Sequence, residues 1–283
     1  MHKVKRGVII TTILISIILL NFQLASAQEV ALRISGASTI QPILEEIAPT
    51  YLDETGETLQ ISAGGSGTGV SEAIEGITDI GAVSRSLTDA EAEELDFTTI
   101  GMDALVVIVN EANPIEEISK EEVVKLYTEE VDNWQELGGP DQSVLLVSKR
   151  LGRSTLDLFE DYSGLESPHR EENVAEAEIS VRAHEIGSNL EMITIVGGIP
   201  NAIGYVSLGT ALNLQEQGAP IKILTLDGIE PSQENIVGGE YPIVRELNLV
   251  YPELTPNIEE FMELILAETG QAIVEAQGFI PVN

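Results

Sequence analysis

Three short segments of this chain gather the residue types that could hold an oxyanion. They are Gly36-Ala37-Ser38-Thr39, Gly64-Gly65-Ser66-Gly67-Thr68-Gly69 and Lys149-Arg150-Leu151-Gly152-Arg153-Ser154-Thr155. Each follows an apolar, largely β-branched run and precedes a helical pattern, so small hydroxyl residues fall at helix N-caps. Backbone N–H groups there have no intrahelical acceptor and carry the positive end of the helix dipole. Glycine lets the backbone approach an anion closely, and the third segment adds guanidinium forks that match tetrahedral oxyanions. Taken singly, a Ser or Thr before a helix is also an ordinary cap, and the Gly-rich run an ordinary turn. Arg150 and Arg153 could equally be surface arginines paired with carboxylates. Repetition of one chemical type at one kind of junction favours anion binding. The Gly-rich run is not a nucleotide-phosphate loop, because no Lys-Ser/Thr pair follows it.

These junctions need elements to hold them. The patterning predicts strands over 30–35, 59–62, 79–83, 103–110, 143–148, 202–207, 221–226 and 243–250. Helices are predicted over 41–54, 69–75, 89–95, 120–127, 155–162, 190–196, 258–267 and 270–275. In the first helix Ile43, Leu44, Ile47 and Tyr51 share one face. The alternation predicts an α/β chain of βαβ units around a mainly parallel sheet. No repeat, low-complexity linker or composition shift marks a domain boundary.

Composition narrows the function. His2, Lys3, Lys5 and Arg6 precede an apolar run over 7–24 and then Ala25-Ser26-Ala27, which reads as a signal peptide over 1–27 cut before Gln28. An uncleaved membrane anchor is the alternative, the run being close to the ~20 residues that span a bilayer. Either way the rest is expected outside the cytoplasm, periplasmic or extracellular. Cysteine is absent, which excludes disulfides and thiol-linked lipid. The leader holds three of 14 Lys and Arg and none of 47 Asp and Glu, leaving 11 against 47, a formal charge of −36. Such a surface repels nucleic acid and anionic membranes. It also opposes an anionic ligand, so any site must rely on short-range donors.

Longer stretches carry a resemblance. GASTIQPILEEIAPTYLDETG (36–56), AGGSGTGVSEAIEGITDIGAVSRSLTDAEAEEL (63–95), DALVVIVNEANPIEEISKEEVVKLYTEEVDNWQELGG (103–139), NAIGYVSLG (201–209) and GGEYPIVRELNLVY (238–251) run in order through most of the chain. The sequence resembles the phosphate-binding proteins of phosphate ABC transporters, in the type II periplasmic-binding-protein superfamily. The resemblance implies a two-lobed fold with a ligand cleft between the lobes, lobe I over 28–107 plus 206–283 and lobe II over 108–205. Crossover strands are expected near 103–110 and 202–208. It implies a monomer that captures inorganic phosphate or a related oxyanion and hands it to an ABC transporter permease. No cofactor, metal or catalytic residue is implied.

Residue by residue, the resemblance places Ser38 and Thr39 in the first loop's contacts, and Ser66, with Gly67 and Thr68, in the second's. Ser84 and Arg85 end a strand at the cleft edge. Arg150 matches the anion-clamping arginine, whose loss is expected to weaken binding by several kcal/mol, and Thr155 a hydroxyl ligand. Arg153 stands where serine is usual and Ser154 where glycine is. Many relatives carry a carboxylate where this chain has Arg85, and that carboxylate accepts the proton of hydrogen phosphate and rejects sulfate. Its replacement leaves sulfate, molybdate and tungstate open as ligands. Arg245, in the Tyr241-Pro242 segment, reads as a structural residue paired to a carboxylate.

A hydrolase is the rival outside the class, but His169 and His184 lack metal-ligand spacing. There is also no cysteine and no Gly-x-Ser-x-Gly elbow. An adhesion or sensing module on the same fold is the third reading.

Overall fold

The computed structural model describes residues 30–171, 175 and 177–283. The expected leader, 1–27, and Gln28 lie outside them. The first elements alternate as expected: β1 (Val30–Gly36), α1 (Gln41–Thr55), β2 (Thr58–Ala63), α2 (Ser66–Ile74), β3 (Ile80–Val83) and α3 (Asp89–Glu94). A long β4 (Asp96–Asn110) follows, then β5 (Glu117–Ile118), α4 (Lys120–Tyr127), β6 (Leu145–Lys149) and α5 (Ser154–Ser163). The next stretch holds β7 (Leu165–Glu166), β8 (Ala177–Glu178), β9 (His184–Ile186), α6 (Asn189–Gly198), β10 (Ala202–Ser207) and α7 (Leu208–Glu216). The chain closes with β11 (Ile221–Ile223), β12 (Thr225–Leu226), α8 (Gln233–Val237), β13 (Val244–Tyr251), α9 (Pro256–Leu266) and α10 (Glu268–Ala276).

The main sheet has the order β2-β1-β3-β13-β4-β10-β6-β9, with β11 also on β4. Its flanks are parallel, as the βα alternation predicts, but its centre is not. β13 runs antiparallel to β3 and β4, and β10 antiparallel to β4. β4 is the shared member. Its first part pairs with β13, from Tyr251 opposite Asp96 to Val244 opposite Ala104, and its second with β10, from Leu105 to Val109.

Buried side chains fall mainly into two clusters, one on each part of β4. The smaller one packs Ile34, Ile43, Ile47 and Tyr51 against Leu249 and Phe261. The larger one is centred on Val107, Tyr127, Trp134, Phe159 and Tyr205. Phe159 stacks on Tyr205 with ring centroids 4.0 Å apart, and Tyr127 lies 4.6 Å from Phe159. Burying each such side chain contributes about 1.5–3 kcal/mol.

β10, expected at the second crossing, lies inside the larger half between β4 and β6. Leu208, Leu224, Ile236, Tyr241 and Ile243 join the larger cluster as well, whereas Leu247 belongs to the smaller. The change from the larger cluster to the smaller falls between Ile243 and Leu247. β10 stays behind because its apolar residues are all buried and its hydrogen bonds are taken by neighbours on both sides.

Candidate functional site

The three hydroxyl-bearing junctions meet where the two halves face each other. The first leaves β1 at Gly36, whose φ is +138° and whose Cβ would sit 2.2 Å from the Ala82 carbonyl oxygen, so a side chain cannot fit. The Gly36 carbonyl accepts from the N–H groups of Gly64 and Gly65, which ties the second junction to the first. The Gly67 N–H donates to the Gly152 carbonyl at 3.3 Å and ties the second to the third.

A small cavity opens between them. Of the site residues expected from the sequence, Ser38, Thr39, Ser66, Ser84, Arg153, Ser154 and Thr155 line it. Four other expected residues stand outside it. Gly67 spends its N–H on Gly152, and the Thr68 hydroxyl donates to the Gly64 carbonyl at 3.1 Å, a loop brace. Arg85 is gripped by Glu91 through two hydrogen bonds of 2.7 Å each. That pairing raises the Arg85 pKa despite burial. Arg150 is exposed and lines an outer groove beside His184, Leu190 and Glu191.

The buried cation of the third loop is instead Lys149, 1 % exposed, one residue before Arg150. Its Nζ donates to the Ser188 carbonyl at 2.8 Å and to Asn189 Oδ1 at 3.1 Å, and both of those residues line the cavity too. Burial, with Arg245 and Arg153 nearby, holds the Lys149 pKa well below the ordinary lysine value, Glu191 opposing. The aromatic stack supports this corner. The Tyr205 hydroxyl accepts from the Lys149 backbone N–H at 3.2 Å and pairs with Ser148 Oγ at 2.8 Å.

Arg245 is paired to a carboxylate, as its context predicts, and does more. Its guanidinium and Asp103 are fully buried, joined at 2.7 Å. From there Nη2 donates to Thr39 Oγ1 at 3.2 Å, and Nη1 to Thr155 Oγ1 at 3.2 Å and Ser84 Oγ at 3.4 Å. A hydroxyl that accepts from a guanidinium keeps its own hydrogen to give away. Arg245 thus turns hydroxyls from both halves into donors. Arg153 is the remaining cation; burial and then Arg150 lower its pKa, with Glu191 opposing.

Hydrogen bonds close the halves on one another. Ser84 Oγ and Ser154 Oγ are 2.6 Å apart, and Asn189 Nδ2 donates to Thr39 Oγ1 at 3.1 Å. Among the described residues that line the cavity, Lys149 and Arg153 are the basic side chains and none is a carboxylate. In a chain of formal charge −33, that makes a locally cationic, donor-rich pocket. Its chemistry suits a dehydrated tetrahedral anion.

Known proteins share this architecture. The model of the PBP superfamily domain matches residues 24–269. The phosphate-binding protein PstS of Bacillus subtilis is 32% identical over 89% of this chain and 81% of its own length. The phosphate-binding protein PstS of Borreliella burgdorferi is 30% identical over 88% of this chain and 89% of its own. The crystal structure of a phosphate ABC transporter substrate-binding protein from Clostridium perfringens, with bound phosphate, superposes with a TM-score of 0.80 at 28% identity. It covers 89% of this chain and 99% of that one.

Proposed function

We propose that this chain, which belongs to the PBP superfamily and within it to the PstS phosphate-binding protein family, captures inorganic phosphate between its two halves and delivers it to an ABC transporter permease. The observation that carries this reading is the donor array on Arg245. One buried guanidinium primes Thr39 and Ser84 from one half and Thr155 from the other. An anion among them receives hydrogen bonds from both halves at once, which favours the closed arrangement by the difference in contacts between open and closed states.

In this reading Ser38, Thr39, Ser66, Ser84, Lys149, Arg153, Ser154 and Thr155 surround the ligand, with backbone N–H groups at the starts of α1, α2 and α5 adding donors. Arg85 and Arg150 act from outside the cavity. The lobes are 30–103 with 245–283, and 104–243, hinged where β4 and the segment before β13 pass between them. The cycle is capture and release with no covalent step, by a monomer exported to the periplasm or cell surface.

Calorimetric titration of the purified chain, stripped of anions, tests the reading: phosphate should bind tightly with one site per chain. Silence toward phosphate, sulfate and molybdate would remove it and leave a sensing or adhesion role. A receptor for a different oxyanion is the second reading, favoured by the lack of a carboxylate among the residues that line the cavity.

A further inference from the structure

Arg150 and Arg153 stand apart from the other arginines. Carboxylates are abundant in a chain of 47 acidic and 14 basic residues. Among the described residues, Arg33, Arg85, Arg170, Arg182 and Arg245 each pair with one, and Arg150 and Arg153 do not. These two converge on one another instead. A Cβ built on Gly187 lies 3.5 Å from Arg153 Nη2 and 3.9 Å from Arg150 Nη1, so both guanidiniums reach one point beside the Gly187 backbone. Two like charges so placed repel, and an anion between them removes that cost.

Inorganic phosphate in the cavity accounts for only one of the pair. Arg153 lines the cavity, whereas Arg150 lines the outer groove, and Ser188, next to Gly187, borders both. The Arg153 guanidinium spans the passage, because its Nη1 lies 3.0 Å from a Cβ built on Gly65 while Nη2 faces Gly187. Two carboxylates border the groove. Glu185 lies 3.5 Å from His169 Nε2, and Glu191 accepts from the Gly187 N–H at 2.6 Å. Glu191 Oε2 is also 3.3 Å from the point beside Gly187, so it sets one negative charge against two guanidiniums and leaves one in excess. Burial and then Arg150 lower the Arg153 pKa, and the opposition of Glu191 does not cancel them.

We propose that the point beside Gly187 is a second anion subsite, through which the chain takes diphosphate, and phosphoryl compounds with a further anionic group next to the phosphoryl, as well as inorganic phosphate. One phosphoryl group keeps the contacts of the cavity. The second passes over Gly187, which has no side chain in the way, and accepts from Arg150 and Arg153. The groove is built by the loop after β6, by β9 and by α6, all in the larger half, so a group leaving the cavity on this side follows one half and does not part the two. Inorganic phosphate fills the cavity alone and makes no demand on Arg150. This inference rests on the phosphate reading and adds to it a second class of ligand for the same site.

The test is calorimetric titration of the purified chain, stripped of anions, with phosphate, methyl phosphate and methylenediphosphonate, the last chosen because it cannot hydrolyse to phosphate. Methylenediphosphonate should bind with one site per chain and be displaced by phosphate. Arg150→Ala should weaken it about tenfold or more, the effect of losing a hydrogen bond to a charged group. The same variant should change phosphate and methyl phosphate by less than about threefold, since neither carries the second anionic group. A chain that binds phosphate but not methylenediphosphonate would overturn this inference alone. So would methylenediphosphonate that phosphate does not displace, or an equal loss of all three ligands in Arg150→Ala. Absence of phosphate binding by the unaltered chain would overturn the phosphate reading itself, and this inference with it.

Discussion

Arg245 on β13 and Asp103 on β4 lie directly opposite each other in the antiparallel ladder, and two hydrogen bonds of 2.7 and 2.9 Å join them in a fully buried pair. The pair sits where the chain passes between the two buried clusters, so it braces that passage and the cavity together. Replacing one partner leaves the other charge buried without compensation. Asp103→Asn should cost about 3–5 kcal/mol of stability, read as a lower urea midpoint at unchanged slope. Phosphate should restore more of that midpoint in the variant than it adds to the unaltered chain, because the anion replaces the missing negative charge. An unshifted midpoint would show that the pair carries no strain of desolvation.

The two arginines of the third loop should separate cleanly. Arg153 lines the cavity, whereas Arg150 is exposed in the outer groove. A hydrogen bond to a charged ligand is worth about 1.5–3 kcal/mol, so Arg153→Ala should weaken phosphate binding by about tenfold or more. Arg150→Ala should change it by less than about threefold, through a slower on-rate that salt erases. Stopped-flow binding at low and high salt checks both. A larger loss for Arg150→Ala would return that residue to the site.

That pair of residues also marks where the sequence stops being informative. The βα order was legible because its signals are local. Thr88 with Glu91 and Ser119 with Glu122 form capping boxes that start their helices, and apolar periodicity fixes the buried face of α1. The hydroxyls at the three junctions were legible for the same reason. The choice between Lys149 and Arg150 was not. Adjacent positions at a strand end point to opposite faces, and which face meets the cavity depends on pairing with β9 and on Tyr205, remote in sequence. Arg245 had a readable signal, a cation within an apolar strand of an acidic chain, which called for a buried partner. Its reach to Thr39 spans 206 positions and leaves no local trace. The early start of β4 was missed because Asp96–Met102 alternates weakly and gains its regularity from β13.

Glu91 gives a pH signature. The hydrogen bond from Arg85 holds its carboxyl below the usual range, helped by the Thr88 backbone N–H and opposed by burial. A carboxyl depressed in the folded state stabilises above its unfolded pKa of about 4.3, and that stability is lost as pH falls through the lower folded value. Glu91→Gln should therefore be less stable than the unaltered chain at neutral pH, with the gap closing below about pH 4. Thermal unfolding of both proteins over that range is the measurement. A gap of constant size would assign the effect to helix capping alone.

Arg85 and Asp157 should tune closure without touching the ligand. Arg85 follows β3, whose Ile80 and Ala82 belong to the smaller cluster, while Asp157 lies on α5 between Leu156 and Phe159 of the larger. Arg85 Nε is 3.8 Å from Asp157 Oδ2, and the other oxygen of Asp157 accepts from Arg170 at 2.8 Å. One carboxylate thus bridges a cation from each half, so the contact to Arg85 joins the two halves. Partly exposed pairs of this kind are worth about 0.2–1 kcal/mol. Asp157→Asn should accordingly speed phosphate release about two- to fivefold at low salt, leave the on-rate unchanged, and match the unaltered chain at about 1 M salt, where screening acts within a few ångströms. Asp161→Asn, an exposed neighbour on the same helix, is the control and should do neither. Release that is unchanged by Asp157→Asn at low salt would show that closure depends on the cavity alone, through Ser84 with Ser154 and Asn189 with Thr39.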